Sequence, residues 1–231
     1  MSLRTYKQQF PKLKYGILPA CINGSSVSDL ISGGNMTYGS TPTKDNANGV
    51  WSNSASGPTS MSGGTSPFLQ FAVGKHYVAA ILFRTAGTPP TALPLFRIGD
   101  ASAATFLNSG IADSINGNAL YTFAAASSFP GANQRGALVI ACSNDPNNKI
   151  GRRIFIANNV TLEDQTVTAA SADQGTTQSL GSGGTIGGAS TTNYTFSGVL
   201  LFEFNSFPAD LLAAATIFAN GFGSIPGAWA G

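Results

Sequence analysis

From residue 75 onward the chain alternates between short apolar runs and polar punctuation. "HYVAAILFRT" (76–85), "LPLFRIG" (93–99), "ALYTFAAAS" (119–127), "GALVIACS" (136–143), "RRIFIANN" (152–159) and "YTFSGVLLFEF" (194–204) are separated by stretches such as "AGTPPT", "SFPGANQRG" and "SNDPNNKIG". Pro, Gly and Asn between apolar or alternating runs of this length are turn chemistry linking antiparallel strands. One segment departs from the pattern. "PADLLAAATIFANG" (208–221) has Leu211, Leu212, Ala215 and Phe218 at helical spacing, Pro208 suited to a first turn and Gly221 placed to stop it. The prediction is an all-β, antiparallel β-sandwich with one short C-terminal helix.

Alternation also assigns faces. In the last strand Leu200, Phe202 and Phe204 point to one side and Leu201, Glu203 and Asn205 to the other. Residues 23–66 are polar and rich in Gly and Ser, yet Leu30, Ile31, Met36, Tyr38, Val50 and Trp51 are interspersed, so short strands with long loops are expected in the same domain. Residues 168–185 read as another long loop. The expected organisation is a basic N-terminal arm over 1–22, a single domain over 23–221, and a tail over 222–231.

Composition sharpens this picture. Only 10% of the 231 residues are charged, against roughly 25% in ordinary soluble domains, so Ser, Thr, Asn and the 28 glycines must supply the surface. Such low-charge surfaces suit proteins built into assemblies. The net charge of +2 is too small to signal nucleic-acid binding. Its distribution is uneven: Arg4, Lys7, Lys12 and Lys14 all precede the first acidic residue, Asp29. No run of about 18 apolar residues suggests a membrane span, and Pro11, Lys12 and Lys14 interrupt what would be the apolar part of a secretory signal. Cytosolic synthesis is therefore expected, with Cys21 and Cys142 as free thiols.

The residues "IGG" at 186–188, "FSG" at 196–198, the strand that follows, and "FPADLLAAA" resemble the C-terminal end of laminin-G-like domains, members of the concanavalin A-like lectin and glucanase superfamily. "GALVIACSNDPNNKIGRRIFIANN" is similar to that family's hairpin of two long strands, "SVSDLISGGNMTYG" to its opening element, and "HYVAAILFRT" to its first long core strand. The resemblance spans roughly residues 25–220 and implies a jelly roll. Gly187, Gly188 and Gly198 would then stand where strands begin and bulges or close backbone approach favour a residue without Cβ.

Candidate chemistry is sparse. Glycosidic hydrolysis commonly uses two carboxylates flanking the bond, and the superfamily's catalytic members carry alternating acids on one strand. Here Glu163 and Glu203 are the only glutamates, and neither has a carboxylate two residues away. His76 is the sole histidine and lies within a core strand, with no Gly-x-Ser-x-Gly elbow to serve. "GSGGTIGG" departs from a dinucleotide-binding fingerprint at Ile186. Two Cys and one His cannot build a zinc site. No catalytic residue, metal site or cofactor is therefore assigned, although "SNDPNNKIG" and "TKDNANG" offer oxygens of the kind calcium accepts. For glycans, Tyr38, Trp51 and Trp229 are the candidate ring faces.

These features lead to the expectation of a non-enzymatic structural protein of a virus particle, such as a phage capsid-decorating or tail-associated component. It would be made in the host cytoplasm and act as an oligomer with other virion subunits. Its arm residues Arg4, Lys7, Lys12 and Lys14 would dock on a neighbour, and it would engage neither specific nucleic acid nor membrane. Two further readings are a lectin-like carbohydrate-binding module, extracellular or at a cell surface, and a glycoside hydrolase, the last retained only through the fold.

Overall fold

The apolar runs at 76–85, 136–143, 152–159 and 194–204 supply long strands of one sheet because each is long enough to cross a sandwich and is bounded by turn residues, while the run at 93–99 supplies a strand of a smaller sheet and that at 119–127 lies, apart from residue 123, outside the described residues. A computed structural model describes residues 12–28, 31, 35–38, 43–46, 50–52, 61–63, 72, 74–85, 94–98, 107–110, 123, 128–143, 145, 147, 149–168, 185–186 and 194–221. In chain order the strands are β1 (Leu13–Ile17), β2 (Ile22–Asn23), β3 (Ser26–Ser28), β4 (Asn35–Tyr38), β5 (Thr43–Asp45), β6 (Val50–Ser52), β7 (Met61–Gly63), β8 (His76–Thr85), β9 (Pro94–Ile98), β10 (Leu107–Gly110), β11 (Arg135–Ser143), β12 (Ile150–Ala157), β13 (Val160–Thr168), β14 (Thr185–Ile186) and β15 (Tyr194–Phe204). Helix α1 (Leu211–Asn220) follows.

The main sheet runs β13-β12-β11-β8-β15-β6-β5, with β1 also paired to β15. Smaller sheets run β10-β9-β14 and β2-β3-β4-β7, and the pairings in all three are antiparallel. The chain is thus an all-β, antiparallel sandwich with one short C-terminal helix, as its pattern predicts. The last part of the basic N-terminal stretch is itself a strand: β1 pairs with β15 from Leu13 opposite Phe202 to Ile17 opposite Val199.

Strands β8, β11 and β15 are covered on both faces, which is why they read as near-continuous apolar runs. On the helix side, Val78, Leu82, Val139, Ile154, Leu200, Phe202 and Phe204 pack with Leu211, Ala214, Ala215 and Phe218 of α1. Ala80, Ala137, Ala141, Ala214 and Ala215 leave room for the helix to lie close against the sheet. The opposite face buries Tyr77, Ile81, Phe83, Leu138, Ile140, Phe155 and Leu201. Gly221 ends α1 at φ 101°, a conformation that favours glycine, with its N–H donating to the Phe218 carbonyl at 3.1 Å. The predicted bulge is present too: the β15–β8 register slips between Phe196 and Gly198, and a Cβ at 198 would lie 3.2 Å from Leu18 Cδ2.

Cys21 and Cys142 are both thiols, with no disulfide between them, as expected from the sequence. Cys142 is fully buried, which pushes its pKa up, while Cys21 is half-buried and its Sγ accepts the Leu18 N–H at 3.4 Å.

His76 sits buried at the start of β8, edge-on to Phe207 at 5.9 Å, and its Nδ1 has no hydrogen-bonding partner among the described residues. Burial lowers its pKa below the ordinary 6.5, against a smaller upward pull from Asp145. Between 6.5 and that lowered value the unfolded chain binds more protons than the folded one, so stability falls as pH drops through about 6.5. The urea unfolding midpoint is expected to fall further between about pH 7.5 and pH 5.5 in the parent than in His76→Phe, which keeps a ring against Phe207. Equal falls would remove His76 from the acid sensitivity.

Candidate functional site

Two arginines face one another at one end of the main sheet. Arg84 of β8 and Arg135 of β11 are Cα partners in the antiparallel register. Both lie on the helix side, because Leu82 and Ala137, each two residues away along its strand, belong to the core beneath α1. Their backbones are braced: the Arg84 carbonyl accepts from Thr195 Oγ1 at 3.0 Å, and the Arg135 carbonyl accepts from the Asn158 N–H at 2.7 Å. The turn leading into β11 is clamped as well. Thr85 Oγ1 donates to the Gly131 carbonyl at 2.7 Å and accepts from the Gln134 N–H at 2.8 Å, and Gln134 Oε1 accepts from the Gly131 N–H at 2.9 Å.

Beside the arginines lies a cleft of about 510 Å³, within the usual range for small-molecule sites. One wall is the segment after β1, with Leu18, Pro19 and Ala20; the floor holds Leu82, Phe83 and Gly136; the other wall is the end of α1, with Phe218, Ala219 and Gly221. Asn46 and the bulged Ser197 add polar groups. Gly136 is required where it stands, since a Cβ there would overlap the Ile156 carbonyl and the Phe83 ring. A second hollow of about 260 Å³ is lined by the same two arginines and Ala219, with Asn133, Asn158, Asn159 and Asn220. Asn133, Asn158 and Asn159 adopt φ of 56°, 51° and 65°, a region Asn tolerates better than most residues.

Like charges directly opposite on one sheet face destabilise a sheet. No carboxylate lines either hollow among the described residues. The carboxyl end of α1, with its partial negative charge, offsets part of the repulsion. Arg84 and Arg135 thus stand between the cleft and the asparagine-lined hollow.

The carboxylates at other places are engaged within the fold. Glu203 Oε1 lies 3.2 Å from Lys14 Nζ, and its Oε2 accepts from the Tyr77 hydroxyl at 3.0 Å. The Tyr77 oxygen accepts the Ala72 N–H at 2.7 Å, and burial, then Glu203, raises its pKa. A hydroxyl bonded to a carboxylate has the spacing of a nucleophile and its base, but Tyr77 is only 1% exposed and out of a substrate's reach. Glu163 is paired with the buried Arg153 at 2.7 Å, and Arg152 grips Asp164 through two bonds of 2.8 Å, which raises the arginine's pKa. Among the described residues no three His, Cys, Asp or Glu side chains group as a metal would need. In "SNDPNNKIG" the Asp145 Oδ1 accepts the Asn147 N–H at 2.9 Å, a turn contact.

Of the residues chosen from sequence, Tyr38 ends β4 and Trp51 lies within β6, opposite Phe196 in register; their side chains, like Trp229, Arg4 and Lys7, lie outside the described residues. Lys12 lies 5.3 Å from the Phe204 ring centroid and Lys14 pairs with Glu203, so both serve the sheet itself. Neither Lys12 nor Lys14 lines the arginine cleft. Sequence reading missed Arg84 and Arg135, because only the register of β8 on β11 brings them opposite each other.

No protein-family model and no curated protein sequence matches the chain. Among solved structures it is similar to Trypanosoma rangeli sialidase in complex with a difluorinated KDN derivative, with a TM-score of 0.55 and 13% identity over 89% of this chain and 32% of that one. The same sialidase in complex with sialic acid gives a TM-score of 0.55 and 11% identity over 91% of this chain and 33% of that one. A further structure of the enzyme gives 0.52 and 12%, with the same coverage. The chain spans about a third of the length of these sialidases. At such identity the likeness establishes the fold.

These neighbours correct the functional expectation drawn from sequence. A non-enzymatic capsid-decorating or tail-associated virion protein finds no support, since the similar solved structures are glycan-cleaving enzymes. Of the basic stretch, Lys12 and Lys14 contact Phe204 and Glu203 of this chain, and Arg4 and Lys7 lie outside the described residues.

Proposed function

We propose that the chain is a carbohydrate-recognising sandwich of a sialidase-like glycosidase, with the cleft beside Arg84 and Arg135 as its glycan site. The observation that carries this reading is the cleft itself: about 510 Å³, apolar on its walls, with Asn46, Ser197 and the two arginines as its polar groups. Sugars suit such a surface, since their C–H faces pack on apolar side chains while their hydroxyls take hydrogen bonds from amides and guanidinium groups. The lectin-like residues at 186–188 and 196–198 point to the same class of ligand, and the similar solved structures bind or cleave acidic sugars.

Ala20 offers a clean test because it is exposed and lines the cleft. Calorimetric titration with a panel of neutral and acidic oligosaccharides is expected to give binding by the parent and a loss of at least about tenfold, or ~1.4 kcal/mol, for Ala20→Trp, whose indole fills the opening. Binding that survives the plug, or none across the panel, would defeat the reading. Turnover of a fluorogenic sialoside by the same preparation measures how much glycosidase activity this chain carries itself.

A further inference from the structure

We propose that His76 is an acid-released latch on α1: taking up a proton forces Phe207 away from its ring and frees the first turn of the helix, while the long strands stay paired. The latch is independent of what the cleft binds.

His76 lies on the helix side of the main sheet, because Val78, two residues along β8, belongs to the core beneath α1. It is held between two strands, opposite Ser143 of β11 and Phe204 of β15, and is only 3% exposed. Phe207 meets its ring edge-on, with the centroids 5.9 Å apart. That phenylalanine is itself partly buried against the same core, and it follows the exposed Asn205 and Ser206. Pro208 is buried next to it, and α1 begins at Leu211.

Both nitrogens of an imidazolium are donors. The Nδ1 of His76 has no hydrogen-bonding partner among the described residues, so a protonated ring must reach water or leave a charged donor buried. The charged groups around it do not remove that need. Asp145, whose N–H donates to Ser143 Oγ at 3.2 Å, attracts the proton less strongly than burial repels it. Lys12 lies over the Phe204 ring, Lys75 donates to the Asn205 side chain, and Asp210 stands at the head of α1. Glu203, with Lys14 and Tyr77, is on the other face of the sheet.

Which neighbour gives way follows from how each is held. β8 is paired along its length with β11 on one side and β15 on the other, so the strand cannot turn the ring outward without breaking two ladders. The segment carrying Phe207 has no such ladder among the described residues. The helix after it is short and lacks a side-chain cap bond at Asp210, and its first turn is closed by the Ala214 N–H donating to the Asp210 carbonyl at 3.0 Å. With the latch closed the pKa of His76 is below 6.5, and with it open the ring regains its ordinary value. Opening is therefore favoured as pH falls below 6.5, by about tenfold per pH unit at most. Because α1 supplies Phe218, Ala219 and Gly221 to the cleft, acid loosens that wall as well.

Amide hydrogen exchange on the whole chain, corrected for the pH dependence of exchange in an unfolded peptide, reads the latch directly. The Ala214 amide is expected to be less protected than those of Val78–Leu82 in β8, and to lose at least about threefold of its protection between about pH 7 and pH 5.5. In His76→Phe it should keep its protection across that interval. Phe207→Ala, which uncovers the imidazole, should leave it poorly protected at both pH values with the acid loss much reduced. Ala214 as strongly protected as the β8 amides would show that the helix opens only with the whole fold, and would overturn the latch. The same acid loss in His76→Phe, or an undiminished one in Phe207→Ala, would overturn it too; should His76→Phe not fold, Phe207→Ala decides.

Discussion

Glu163→Ala is expected to destabilise the fold by about 3 kcal/mol, a large share of what holds a domain of this kind together. Glu163 and Arg153 meet at 2.7 Å with side-chain exposures of 6% and 2%. Arg153 lies within β12, and its guanidinium carbon stands 5.0 Å from the Phe123 ring centroid. A guanidinium does not shed its proton at any pH the fold survives, so it cannot escape the loss of its carboxylate by neutralising. The Phe123 ring continues to offer it a favourable face, which holds the cost to the lower part of the range for broken buried pairs. Replacing both partners, as Arg153→Met with Glu163→Leu, should return stability to within roughly 1 kcal/mol of the parent, because desolvation of two charges is then avoided along with their attraction. Urea unfolding of the parent, the single and the double variant checks this as a cycle. A single variant as stable as the parent would show that the pair contributes no more than a surface ion pair does.

That pair also shows where sequence reading stops. "RRIFIANN" reads correctly as a strand, and Arg153 falls on the side that alternation makes inward, opposite Ile140 in register. Nothing local indicates that a buried arginine will be met by Glu163, ten residues on, after a turn and a register slip between Phe155 and Ile156. By contrast, the last strand and the helix were legible throughout. Leu200, Phe202 and Phe204 do share a face, Glu203 lies on the other against Tyr77, and Gly221 does stop the helix. Those outcomes depend on periods of two and 3.6 and on glycine's φ, which are properties of single segments. Pairings are properties of two segments.

The candidate site falls on the far side of that boundary. Asn133 falls in a stretch that reads as a turn, Asn158 and Asn159 at the end of a run that reads as a strand, and Arg84 and Arg135 beside apolar positions. Their convergence requires β11 to lie beside β8 with Arg135 opposite Arg84, and α1 to end over the same spot. Aromatic rings and charge clusters attract notice in a sequence because they are rare or contiguous. Lys12 and Lys14, close enough together to suggest a docking arm, also lie against Phe204 and Glu203 of the neighbouring strand, which their spacing does not reveal.

Phe218→Ala should cost the fold about 3–5 kcal/mol, the range for deleting a buried phenylalanine from a packed core. Phe218 is 1% exposed, its ring stacks on Phe202 at 5.8 Å and 30°, and it is the largest side chain that α1 buries against the sheet. The rest of the helix's buried face is Leu211 with the small Ala214, Ala215 and Ala219, so little neighbouring bulk can move in to fill the void. The helix is only ten residues long and receives no side-chain cap bond at Asp210, so its order depends on that packing more than on its own propensity. Phe218 also lines the cleft beside Arg84 and Arg135, and losing it should loosen the wall formed with Ala219 and Gly221. The variant is thus expected to lose oligosaccharide affinity at temperatures where it is still folded. Leu212→Ala, on the 37% exposed side of the same helix, should change stability by no more than about 0.5 kcal/mol and leave binding intact. Thermal unfolding and calorimetric titration of the two variants in parallel separate the roles: equal, small losses in both would mean that α1 is not held to the sheet through Phe218.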